Sequence, residues 1–157
     1  MYVTPAQLAE SPGARELAEV ATRERDAIVP DDLMDATLRG TDRGRWSPEQ
    51  ISTADEALGR IVEAIGDAQG VIGGFLARSR PLPLPKVPGV VTVWARSIVR
   101  YQLHRNRVSS DADDPIARDY KDAIKFLQLT ANGQFSLGLD DPALNNPQLL
   151  DVRFKGD

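Results

Sequence analysis

No cysteine occurs in the chain, and histidine occurs only at position 104. Disulfides, thiolate nucleophiles and cysteine-bound zinc are therefore excluded, and the lone imidazole has no second one with which to share a metal. A reducing compartment fits best. Aromatics make up only 6% of the residues, so Leu, Ile, Val and Ala must fill whatever core forms. Proline or charge interrupts every apolar run before it reaches membrane-spanning length, and no basic segment followed by an apolar stretch opens the chain. The expectation is a protein that is neither exported nor embedded in a membrane.

What is present is ordinary globular material, 41% hydrophobic and 27% charged over 157 residues. A chain of this length suits one domain and can bury roughly 68–70% of its unfolded surface. The net charge is −4, but it is unevenly spread. From Arg78 to Arg107 there are basic residues and no acid at all. Such segregation reads either as a face for an acidic or phosphate-bearing partner or as arginines that solvate a helix.

The helix signals are strong in places. Thr4-Pro5 with Gln7 reads as a capping box with a first-turn proline, and Ser11-Pro12-Gly13 interrupts the helix it starts. A second short helix is predicted over 14–25. From Asp26 to Trp46 periodicity is lost among Pro30, Gly40, Gly44, five aspartates and three arginines, which predicts a mobile loop with one helical turn near Leu33. Ser47-Pro48-Glu49-Gln50 then starts a long helix reaching Ala77. Its apolar residues follow heptad spacing, with Ile51, Leu58, Ile65 and Ile72 in one register and Ala54, Ile61, Ala68 and Phe75 in the other. A seam inside one bundle is favoured over a coiled coil between chains. Gly59, Gly66, Gly70, Gly73 and Gly74 predict a kink or a very close helix neighbour.

Pro81, Pro83, Pro85 and Pro88 make 80–89 an extended connector. It could serve proline-reading domains, but Leu82, Leu84 and Val87 favour a rigid apolar strap on the bundle. A helix over 90–106 follows, with Val91, Trp94, Ile98 and Tyr101 inward and Arg96, Arg100 and Arg107 forming an outward stripe. Asp114-Pro115 caps a last helix, with Ile116, Tyr120, Ala123, Ile124 and Leu127 inward, that stops at Asn132-Gly133. The fold class is thus mainly α: a small helical bundle with a long central helix, its helical domain spanning 1–132. Residues 133–157 form an extended C-terminal interaction arm, and Leu150, Val152 and Phe154 alternate with polar residues as a short strand would.

No catalytic constellation emerges, so an enzyme is not expected, and no cofactor or metal is called for. His104 reads as a surface residue at a helix end. The Gly70–Gly74 cluster lacks dinucleotide and phosphate-loop spacing, and Asp111, Asp113 and Asp114 lack the glycine and glutamate of a calcium loop. Asp31-Asp32 and Asp140-Asp141 have no apolar neighbours to raise a carboxyl pKa. The arginine stripe allows a second reading, a small nucleic-acid-binding regulator, although Trp94 and Tyr101 lie on the opposite face and cannot stack bases.

Several blocks are similar to a known family. The opening Met1-Tyr2-Val3-Thr4-Pro5-Ala6-Gln7-Leu8 comes first, followed by Ala64-Ile65, Asp67-Ala68, Phe75-Leu76, Leu82-Pro83-Leu84, Val87-Pro88, Ala95-Arg96 and Arg100-Tyr101. Tyr120, Ala123-Ile124, Leu127 and Ser136-Leu137-Gly138 close the series. Together they resemble the head-to-tail connector proteins, adaptor or head-completion, of Mu-like tailed phages. The leucine-proline strap before an arginine-tyrosine helix is the specific part. Two departures are the long 27–46 segment and Ser79 with Pro81 in place of an aromatic. The resemblance implies a virion protein assembled in the host cytoplasm and placed at the head-tail junction. Its implied partners are the portal protein, a neighbouring tail or stopper protein, and other copies in a twelve-subunit ring around the packaged DNA. Arg96, Arg100, Arg107, Leu150, Val152 and Phe154 are the candidate interaction residues.

Overall fold

The structure is a computed structural model, described over residues 1–108 and 113–138. Six α-helices occur there, α1 (Pro5–Leu8), α2 (Ala14–Ala21), α3 (Asp31–Arg39), α4 (Pro48–Leu76), α5 (Gly89–His104) and α6 (Pro115–Ala131), and no strand. The mainly helical bundle expected from the sequence is the observed fold.

The helices begin where local chemistry can satisfy their free amides. Thr4 Oγ1 accepts from Gln7 N at 3.2 Å while Gln7 Oε1 accepts from Thr4 N at 2.9 Å. Ser47 and Gln50 repeat the same reciprocal box at 3.2 and 3.0 Å. At α6 the Asp114 carboxylate accepts from Ile116 N at 2.9 Å and Pro115 takes the first turn. Between α1 and α2 the chain bends over Ala9–Gly13, where Ser11 leaves helical geometry and Gly13 takes a φ of +107°. A side chain at Gly13 would be strained.

α4 runs as one helix of 29 residues, about 44 Å long. It buries Ala54, Ala57, Ile61, Ala64, Ile65, Ala68, Ile72 and Leu76, which step by three or four residues along one face. That face packs on α5 and α6, and on α2 and α3 nearer its start. The apolar seam is therefore intramolecular. The expected explanation of the α4 glycines is corrected: a Cβ at Gly59, Gly66, Gly70 or Gly74 would meet nothing within 4 Å. They lie on the open side of the helix rather than under a close neighbour.

α5 sits between α4 and α6 with Val91, Ile98 and Val99 fully buried and Trp94 nearly so. Tyr101 stacks on Tyr120 with ring centroids 4.0 Å apart, and Trp94 packs on Phe126 and Phe135. Trp94 is core, as its helical position required, whereas Tyr101 is only part-buried and Phe126 keeps an exposed edge. Leu84 and Val87 of the 80–89 connector pack against the same core, in keeping with a strap.

One expectation fails clearly. The stretch from Asp26 to Trp46, read as loop, holds α3 across nine residues, and Leu33 and Met34 are completely buried. α3 packs against α1, α2 and α4, so tertiary burial overrides a weak local pattern. Two punctuation marks were available: the acidic first turn Asp31-Asp32 and Gly40, whose φ of +67° ends the helix. α2 also stops at Ala21, short of Arg25. Past α6, Phe135 and the buried Leu137 remain on the bundle. The strand expected at 150–155 lies outside the described residues.

Candidate functional site

The polar face of α5 is where sequence reasoning placed a binding surface, and the structure fills it with the chain's own N-terminal segment. Arg100 Nε lies 2.6 Å from Glu16 Oε1 and its Nη2 2.8 Å from Oε2, a bidentate pair joining α5 to α2. His104 Nε2 lies 2.9 Å from the same Oε1. One helical turn before Arg100, Arg96 Nη2 donates to the Gln7 carbonyl at 3.1 Å and stands 3.6 Å from Glu10 Oε2. Arg107, exposed past the end of α5, donates to the Glu19 carbonyl at 3.4 Å.

The outward stripe is therefore corrected. Arg96, Arg100 and Arg107 do share one side of α5, but that side meets α1, the Ala9–Gly13 bend and α2. The reason lies in charge: Glu10 and Glu16 face Arg96 and Arg100 from the bend and α2, and a helical wheel of α5 alone cannot show them, while Arg107 meets only a backbone carbonyl. His104 stands at the helix end as expected, but its side chain is only 15% exposed and belongs to the Glu16 cluster rather than to the surface. Glu16 is the residue that sequence reasoning missed. The available signal was the run of Glu10, Glu16 and Glu19 set against a later segment with no acid.

Burial pushes the Glu16 carboxyl up, but hydrogen bonds from Arg100 and His104 and their charges together hold it below the ordinary carboxylate range. The Arg100 guanidinium is raised chiefly by its hydrogen bond to Glu16. The arrangement can fix the orientation of α2 on α5. It occupies the Nε and Nη2 edge of Arg100 that would otherwise grip a phosphate through two bonds.

A cleft of about 420 Å³ opens beside this clamp, lined by Ser11, Pro12, Val93, Ser97, Asp119 and the Glu16–Arg100 pair. Among the described residues no group of His, Cys, Asp and Glu side chains could hold a metal ion, and no helix is long and apolar enough to cross a membrane. Leu150, Val152 and Phe154, the other candidate interaction residues, lie outside the described residues.

A sequence profile of the family described as "Bacteriophage Mu, Gp36" matches residues 2–155, nearly the whole chain. The chain belongs to this phage family. A Gp36 relative, the "Mu-like prophage FluMu protein gp36" of Haemophilus influenzae, is 40% identical over 105 residues, covering 67% of this chain and 70% of that protein. No solved structure matches. The capping boxes at Thr4 and Ser47, the strap and the α5 clamp are thus features of a member of this phage family.

Proposed function

We propose that this Gp36-family protein is a non-enzymatic structural component of the virion, a ring-forming adaptor that joins the portal of the head to the tail. The observation that carries the reading is the match across residues 2–155 to the family described as "Bacteriophage Mu, Gp36". The fold is in keeping with it. A bundle whose core is closed within one chain, and whose N-terminal helices are clamped to it, is a rigid block suited to repetition around an axis. Its partners under this reading are the portal, the next tail or stopper protein, and further copies of itself in a twelve-subunit ring, with packaged DNA in the channel.

No observation favours the alternative of a nucleic-acid-binding regulator, because Arg96 and Arg100 are engaged by the chain's own acids and carbonyls. The C-terminal arm, 133–157, supplies the extended contact in this scheme. Leu150, Val152 and Phe154 would add a strand to an edge on a neighbour. Deleting the gene in the phage that encodes it tests the role. DNA-filled heads and free tails that do not join are expected, whereas complete infectious particles would remove the adaptor reading. Truncation after Gly138 should reproduce the defect while leaving the bundle folded.

A further inference from the structure

Two exposed faces of this bundle are complementary to each other, although they belong to different helices. α4 carries Glu63 and Asp67, and α6 carries Lys121 and Lys125, all four exposed. None of them enters an ion pair among the described residues. Each pair is a like-charge i,i+4 pair, a spacing that brings the two charges together on one helix face and makes them repel within a single chain. The spacing is the same on both helices, so each pair can neutralise the other across a contact.

The surroundings agree with close docking at that place. Val62, 48% exposed, borders the acidic pair, and Phe126, 37% exposed, borders the lysines. Around the acids, Gly59, Gly66 and Gly70 leave bare backbone, since a Cβ at any of them would meet nothing within 4 Å. Charges of the opposite sign stand beside both pairs. Arg60 lines a cleft with Glu63 and Asp67, as does Arg105, but the Arg60 Nε is turned onto the Ala21 carbonyl at 2.6 Å. Asp122 lies among the α6 lysines, and Arg118 on that helix is paired with Asp119 at 3.5 Å.

We propose that the α4 face of one copy receives the α6 face of the next, with Glu63 and Asp67 against Lys121 and Lys125. The occupant of the open α4 face is thus a second copy of this chain. Each copy offers both halves of the contact, which makes it heterologous, and successive copies add head to tail until they close on themselves. The proposal rests on the adaptor reading for its biological setting but not for its chemistry.

The absence of native cysteine makes the test direct. The protein carrying both Gly66→Cys and Asp122→Cys, positions beside the two charge pairs, is treated with a short bis-maleimide at about 1 mM and on portal rings. A ladder of trimers and larger species is expected from the double variant, while each single-cysteine variant yields no species beyond a dimer. Dimers alone, or no cross-linked product in either setting, would overturn the proposal. Charge reversal supplies the second arm. Glu63→Lys with Asp67→Lys, or Lys121→Glu with Lys125→Glu, should weaken association at least about tenfold, and all four reversals together should restore it. Failure of the fourfold variant to recover, with its circular dichroism unchanged, also overturns the contact. A ladder without portal attachment leaves the contact standing and removes the adaptor role; portal attachment without a ladder does the reverse.

Discussion

The two sides of α5 are held by different physics. Toward α4 and α6, Val91, Ile98 and Val99 are wholly buried among apolar neighbours. Toward α1 and α2, Arg96, Arg100 and His104 reach Gln7, Glu10 and Glu16 through directed polar contacts. Apolar burial scales with area and tolerates changes of salt and pH, whereas a bidentate ion pair depends on both partners being charged and aligned. The N-terminal helices also bury Leu8 and Leu17, so the clamp is not their only attachment. Its distinct contribution is to set the angle at which α2 lies on α5.

The largest effect should come from breaking the apolar side. Ile98→Ala, at a position with no exposed surface, should cost about 2–5 kcal/mol of global stability by denaturant unfolding. A loss under about 1 kcal/mol would mean that this face is not the core. Glu16→Gln should cost less, about 1–2 kcal/mol, because these side chains keep some solvent contact. Its loss should be local, with amide exchange rising in α1 and α2 before α4 to α6. Uniform acceleration through the bundle would contradict a separate N-terminal clamp.

Acid should sharpen the same distinction. The Glu16 carboxyl titrates below its ordinary range in the folded protein. Its contribution is therefore complete above the unfolded value of about 4.3 and is lost as pH falls through the lower folded value. The difference in Tm between the native protein and Glu16→Gln should shrink on acidification below about pH 4, while the Ile98→Ala difference persists. A Glu16→Gln difference that grew in acid would reverse the assigned sign. The smallest effect belongs to Arg107→Ala: with an exposed side chain and a 3.4 Å contact, it should stay within about 0.5 kcal/mol of the native protein.

The same division decides what could be read from sequence. The starts of α1, α4 and α6 were legible because both partners of each cap lie within three residues, as with Ser47 and Gln50. The inward face of α5 was legible because Val91, Trp94 and Ile98 repeat at helical spacing. α3 was hidden because its burial depends on α1, α2 and α4, elements remote in sequence, and its flanks carry Pro30, Gly40 and many charges. The clamp was half legible. The arginines were found from α5 alone, but Glu16 stands 84 residues earlier than Arg100, and no local pattern joins them. The α4 and α6 charge pairs were open to the same reading, through their like-charge i,i+4 spacing, but gain meaning only once both faces are known to be exposed.

The adaptor role is tested most directly by electron microscopy of portal rings from the same phage incubated with saturating full-length protein. The expected result is an added ring of helical density on the tail-proximal end of the portal, following the portal's symmetry. Bare portals beside protein that circular dichroism shows to be folded would contradict the account.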